Sequence, residues 1–205
     1  MDRIPDVAGI ILAGGKSRRM GREKPLLELG GQPIISRVVG ALKEAFAEVV
    51  VVTNKPAAYD WLGLPMIRDV VPDMGPLGGI HAGLLAITRP RAVVVAADMP
   101  FIETRALHRL ASLGDHHQMV IPYWRGYPEH LHALYPRTCL PQIEACLEAG
   151  ERRIAVLTEQ VPHLTIPAEK LTPFPHEVFF NMNTLEDYYR AKARLEAPLK
   201  KANPE

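Results

Sequence analysis

Three runs in this 205-residue chain carry no charged side chain: residues 7–12, 49–53 and 92–97. A strand with one wet face alternates apolar and polar residues. These runs do not alternate, so each is predicted to be a strand covered on both faces. Helical patterns separate them. Residues 33–46 read as a helix with Pro33 near its first turn, and residues 76–87 as a helix after a Gly-rich turn. Buried strands alternating with helices predict an α/β fold with a mostly parallel sheet covered on both sides. Residues 92–97 are the predicted central strand, ending at Asp98. Residues 64–68 give a weaker third strand, shortened by Pro65.

The second half is less regular. Residues 118–122 and 131–135 are strand candidates around a polar, aromatic turn. Residues 140–149 read as a helix ended by Gly150, and residues 152–159 as a shorter one. Residues 165–167 and 177–180 are predicted as short extended segments. Thr184 is the predicted N-cap of a final helix reaching about residue 195, because Asp187 follows three residues later. There is no internal repeat. Residues 1–197 are read as one nucleotide-handling domain and residues 198–205 as a flexible tail.

Composition removes several classes of function. Lys+Arg 24 against Asp+Glu 23 gives a net charge of +1, which provides no polycationic surface for nucleic acid. Cys139 and Cys146 form no CxxC and are expected to be two buried small hydrophobes. The apolar run at residues 7–12 is too short for a membrane span and lacks a signal-peptide layout, so a cytoplasmic protein without a membrane partner is expected. Eight histidines include the adjacent His116 and His117 and the pair His130 and His132, which could share one strand face, but there is no HExxH. His81 is expected to be a surface or packing residue.

The segment leaving the first strand reads Leu12-Ala-Gly-Gly-Lys-Ser-Arg-Arg-Met-Gly21, followed by Lys24. Gly14 and Gly15 let backbone N–H groups approach a ligand closely. Lys16, Arg18, Arg19, Arg22 and Lys24 surround the turn with positive charge. A cationic glycine turn at the carboxyl end of a parallel strand is a phosphate site. It matches neither GxGxxG nor the Walker pattern. Asp98, directly after the central strand, is placed to hold Mg²⁺ against a triphosphate; its bland alternative is a cap for a helix beginning near Ile102. Asp69 and Asp73 flank a loop leading into Gly75-Pro-Leu-Gly-Gly79, whose backbone could meet a base or sugar. Asn54 ends the second strand and could bond the same ligand. Asn181 and Asn183, two apart in an extended stretch, could converge on one polar ligand or a hydrated metal. Trp124, Arg125 and Tyr127 could rim a flat heterocycle or simply form a hairpin tip.

Together these residues resemble the molybdenum cofactor guanylyltransferase family of nucleotidyltransferases. The resemblance rests on Leu12 to Gly21 with Lys24-Pro-Leu-Leu-Glu-Leu-Gly-Gly-Gln-Pro33, on Asp69 with Gly75-Pro-Leu-Gly-Gly-Ile80, and on Ala97-Asp-Met-Pro-Phe101. It continues in Leu131-His-Ala-Leu-Tyr135, Ala149-Gly-Glu-Arg-Arg153 and Asn181-Met-Asn-Thr-Leu-Glu-Asp187. It implies a three-layer α/β/α sandwich with a mostly parallel mixed sheet, as in nucleotide-diphospho-sugar transferases. It implies transfer of GMP from GTP to molybdopterin with release of pyrophosphate, Mg²⁺ as cofactor, and transient cofactor-delivery or acceptor proteins as partners. By the same resemblance, Leu12, Ala13, Gly14 and Gly15 form the nucleotide turn. Lys24 serves the phosphates, and the charge such a transfer develops fits a site that adds Arg18 or Arg19 to it. Asn54, Asp69, Gly75, Pro76 and Leu77 contact nucleotide, Asp98 is the metal ligand, and Asn181 and Asn183 belong to the pterin side. Ala97 stands where relatives often carry Cys, and the Glu129-His130-Leu131 stretch lacks a proline common there. The competing readings are a molybdopterin cytidylyltransferase, a sugar-1-phosphate nucleotidyltransferase and a non-catalytic GTP-binding adaptor.

Overall fold

The computed structural model describes residues 2–14, 23–71 and 73–196. Three parallel pairings build the first half of the sheet. Strand β1 (Val7–Leu12) lies between β2 (Val49–Val52) and β4 (Arg91–Ala96), and the short β3 (Met66–Ile67) edges β2. The second half joins by antiparallel pairing: β7 (His132–Pro136) runs against β4 and against β5 (Met119–Trp124). β5 also pairs with β6 (Tyr127–Pro128) through a hairpin and, in parallel, with β8 (His163–Pro167). The described residues thus form one eight-stranded mixed sheet in the order β3-β2-β1-β4-β7-β5-β6, with β8 beside β5.

Strand alternation sorts the core into two layers. Ile11, Val49, Val51, Val93 and Val95 face the cluster that holds α1 (Ile34–Ala45) and α3 (Thr104–Ala111). Ile10, Val50, Val52, Ala92 and Val94 face the cluster that holds α2 (Gly75–Ala86), α4 (Leu140–Glu148) and α5 (Ile154–Gln160). Helix α2 is apolar nearly all round and is buried between sheet and α4, as such a helix must be. Its glycines set how close it sits. A Cβ at Gly83 would stand 2.7 Å from Ile10 Cγ2, and one at Gly79 would stand 3.2 Å from Leu12 Cδ2.

Two helices follow β8: the single-turn α6 (Pro175–Val178) and the longer α7 (Leu185–Glu196). The extended segment expected at residues 177–180 is therefore corrected. Pro175 opens a helical turn there, with its fixed φ suited to a first helical position. α7 is anchored by a small core of Leu29, Ile34, Met182 and Ala191, and by Tyr188 Oη donating to the Glu28 carbonyl at 3.0 Å. The expected cap forms: Asp187 N–H donates to Thr184 Oγ1 at 3.1 Å, and the Asp187 carboxylate accepts from the Thr184 N–H at 2.9 Å. Cys139 and Cys146 are buried free thiols. No described helix is long and apolar enough to cross a membrane. The proposed tail at residues 198–205 lies outside the described residues.

Candidate active site

The carboxyl ends of β1, β2 and β4 share one edge of the sheet, and the candidate residues collect there. The Ala13 N–H donates to the Val52 carbonyl and the Ala97 N–H to the Leu12 carbonyl, so the chain leaves β1 between its two neighbours. Ala13 is buried, whereas Gly14 is exposed, and a Cβ there would meet nothing within 4 Å. Gly15 and Arg18, with Lys16, Arg19 and Arg22, lie outside the described residues.

On the β2 side, Asn54 and Asp69 bind each other. Asn54 Nδ2 donates to Asp69 Oδ2 at 2.8 Å, and the Asp69 N–H donates to Asn54 Oδ1 at 3.2 Å. Asp69 also lies near the α2 backbone: a Cβ at Gly79 would be 3.7 Å from its Oδ1. The first turn of α2 opens at this edge with Gly75 and Pro76 exposed. Leu77 is fully buried, so only its backbone can meet a ligand. The first turn of a helix leaves backbone N–H groups without intrahelical partners, here those of Gly75 and Leu77 because Pro76 has none, and with them a partial positive charge that suits an anion.

Beyond β4, three distant segments meet. Lys24 Nζ donates to Asn183 Oδ1 at 3.2 Å, across 159 positions of sequence. The Met182 N–H donates to the Asp98 carbonyl at 3.1 Å. Burial pushes the half-buried Asp98 carboxyl above the ordinary carboxylate value, and the Lys24 ammonium pulls it part of the way back. Helix α3 starts at Thr104 with Glu103 as its N-cap residue, so Asp98 is not that helix's cap. Asn181 has no side-chain partner among the described residues, while the Asn183 N–H is taken by Asp187. The described residues contain no cluster of three His, Cys, Asp or Glu able to hold a metal alone. Asp98 still fits Mg²⁺, which binds through one or two carboxylates plus substrate phosphates and water.

Two acidic residues at this edge, Glu23 and Glu129, are not among the site residues expected from the sequence. Glu23 accepts from Tyr59 Oη at 2.8 Å and pairs with Lys55, which ties the segment before Lys24 to the end of β2. Burial disfavours its charge, but these bonds outweigh burial and leave its pKa below the ordinary value. Glu129 precedes β7, on the other side of Asp98, and burial raises its carboxyl to about 7. A signal for Glu129 existed. Asp98 directly follows one charge-free strand, and Glu129 closely precedes its antiparallel neighbour, so both fall on the same edge.

The remaining candidates separate. His132 is fully buried on β7 with its ring 4.9 Å from that of Phe179, while His130 lies in the preceding turn with Nε2 3.2 Å from Thr158 Oγ1. His81 packs inside, 3.3 Å from Glu144. Trp124, Arg125 and Tyr127 form the β5–β6 hairpin tip, and the Arg125 guanidinium lies over the Trp124 ring at 5.1 Å. Arg153 is spent on Glu151 through paired bonds of 3.0 and 2.6 Å. A cleft of about 500 Å³ lies at the opposite edge, near Arg3, Lys43 and Arg89, away from every one of these residues.

Residues 9–165 match the MobA-like NTP transferase domain. The chain is 38% identical over 194 residues to the molybdenum cofactor guanylyltransferase of Rhodobacter capsulatus, covering 92% of this chain and 96% of that one. It is 33% identical over 195 residues to the molybdenum cofactor guanylyltransferase of Desulfosudis oleivorans, covering 93% and 96%. Among solved structures it superposes on molybdopterin-guanine dinucleotide biosynthesis protein A from Archaeoglobus fulgidus with a TM-score of 0.78. That match has 30% identity and covers 92% of this chain and 98% of that one. A 2-C-methyl-D-erythritol 4-phosphate cytidylyltransferase from Thermus thermophilus shares the fold, with a TM-score of 0.68 at 14% identity.

Proposed function

This chain belongs to the MobA-like NTP transferase family, and on that premise we propose that it transfers GMP from GTP to molybdopterin, releasing pyrophosphate. The observation that carries the reading is the meeting of Lys24, Asp98 and Asn183 at the carboxyl edge of the sheet. The terminal phosphate oxygen of molybdopterin attacks the α-phosphorus of GTP. A P–O bond forms there as the bond to the β-phosphate bridge breaks, and pyrophosphate leaves. A phosphate nucleophile is already ionised near neutral pH, so no strong general base is required.

The protein must therefore align two anions and stabilise charge on the phosphate oxygens. The open backbone at Gly14 and the N-terminus of α2 supply N–H groups on the nucleotide side. Lys24 supplies a point charge that Asn183 orients. Mg²⁺ on Asp98, when bound, would neutralise the triphosphate oxygens. The Asn54–Asp69 pair sits where the ribose or base would lie, and Asn181, free of partners among the described residues, faces the choice between acceptor and metal water. Asp98→Ala is expected to abolish pyrophosphate release while the far-UV circular dichroism spectrum is kept. A folded Asp98→Ala protein with near-normal turnover would overturn the proposal.

A further inference from the structure

The sheet order divides the candidate edge into two halves. The Asn54–Asp69 pair and the start of α2 lie over β2 and β1; Asp98 ends β4; Glu129 lies beyond, over β7 and β5. Two backbone bonds fix Glu129 there. Its N–H donates to the Pro122 carbonyl of β5 at 2.8 Å, and its carbonyl accepts the His132 N–H of β7 at 3.1 Å. The Ala96 N–H donates to Leu131 two residues before Asp98, so this turn flanks the end of the central strand. β2 and β7 stand three strand spacings apart, about 14 Å. Glu129 is therefore on the far side of Asp98 from the nucleotide half.

Its side chain is half-buried and has no hydrogen-bond or ion-pair partner among the described residues. The adjoining His130 lies against Thr158, and Arg125 of the β5–β6 hairpin tip lies over Trp124. Burial holds the carboxyl at about 7, with no compensating charge among the described residues. A carboxyl kept out of water without a donor is a cost to the fold that a ligand's donors would offset. The hairpin tip beside it presents Trp124 and Tyr127, the aromatic surface that a flat ring system stacks on.

We propose that Glu129 recognises the 2-amino-4-oxopyrimidine edge of the pterin acceptor, its carboxylate accepting one bond from the ring N–H and one from the exocyclic amine. The proposal rests on the guanylyltransferase reading and names the acceptor-recognising residue within it. A carboxylate accepts such a donor pair in bidentate fashion, and both bonds are charge-assisted. Guanine carries the same donor pair. The position of Glu129 beyond Asp98, away from the Asn54–Asp69 pair, assigns it to the pterin.

The test uses the full chain with Glu129→Gln, which keeps shape, and Glu129→Ala. Pyrophosphate release is measured with GTP or ITP against varied molybdopterin, and fluorescence titration compares 6,7-dimethylpterin with 6,7-dimethyllumazine, in which oxygen replaces the 2-amino group. Wild-type protein should prefer the pterin, and Glu129→Gln should remove that preference. The variant's KM for molybdopterin should rise about 10- to 100-fold, the loss expected for one charge-assisted bond. KM for GTP should stay within twofold, which also reports an intact fold. An unchanged molybdopterin KM, or wild-type protein that binds the two pteridines equally, overturns the proposal. So does a variant that loses only its discrimination between GTP and ITP, because the carboxylate then reads guanine. Wild-type protein that releases no pyrophosphate with GTP and molybdopterin overturns the guanylyltransferase reading, and this proposal with it.

Discussion

Burial raises the pKa of Asp98, so its ionised form destabilises the folded protein at neutral pH. The folded state holds this proton more tightly than the unfolded chain, and stability falls as pH rises through the interval between the two pKa values. Asp98→Asn removes that penalty. It should raise the thermal midpoint at pH 7, with the gap closing in acid, while pyrophosphate release is lost; calorimetry and a turnover assay on one preparation read both. His132 works in the opposite direction. Burial lowers its pKa from 6.5 to about 4, and neither ring nitrogen has a partner among the described residues. Its contribution is present above the unfolded value and is lost as pH falls through the folded one. The interval corresponds to about 3 kcal/mol. His132→Leu should flatten urea midpoints between pH 6.5 and 4, and an unaltered slope would assign acid sensitivity to other groups.

Local chemistry made some elements legible and hid others. The Thr184–Asp187 cap was readable because a capping box is a short-range pattern, and both reciprocal bonds form. Removing it with Thr184→Ala should cost about 1 kcal/mol in urea unfolding. The four-residue α6 was not readable, because so short a turn has no periodicity and takes its place from Pro175 and Val178 packing inward. The strands β1, β2 and β4 were clear from their lack of charge, whereas their neighbours in the sheet depended on register that sequence does not display. The α2 glycines show the same limit. Gly79 reads as the end of a loop that could meet a base or sugar, yet it lies within α2 against Leu12, and Gly83 is a spacer that lets α2 press onto Ile10. Ile10 is β-branched and cannot swing aside freely. Gly83→Ala should therefore destabilise by about 1–3 kcal/mol through overpacking, measured as a lower urea midpoint at unchanged m-value.

At the scale of the molecule, the fold does what no local pattern can: it brings Lys24 to Asn183 and sets Asn54 against Asp69. Sequence named these residues but could not pair them, because each partner lies on a different strand end or helix approach. That arrangement bears on the choice of base. The half of the edge proposed for the nucleotide holds the backbone of residues 12–14, the first turn of α2 and the Asn54–Asp69 pair, whose amide and carboxylate already satisfy each other in part. Few of the described side chains there are free to read a base, so discrimination is expected to fall to backbone groups with fixed directions. Guanine offers N1–H and N2–H₂ donors to carbonyl oxygens. Cytosine, smaller, would leave such acceptors unpaired. Each buried bond lost costs about 1–3 kcal/mol, roughly 5- to 150-fold, so two suffice for strong selection. GTP should therefore be used in preference to CTP and ATP when the three compete in pyrophosphate release with molybdopterin and Mg²⁺. A tenfold advantage for CTP would reassign the chain as a cytidylyltransferase. The displacement proposed at Asp98 would stand unchanged, because in that proposal the phosphates, not the base, meet Lys24 and Mg²⁺.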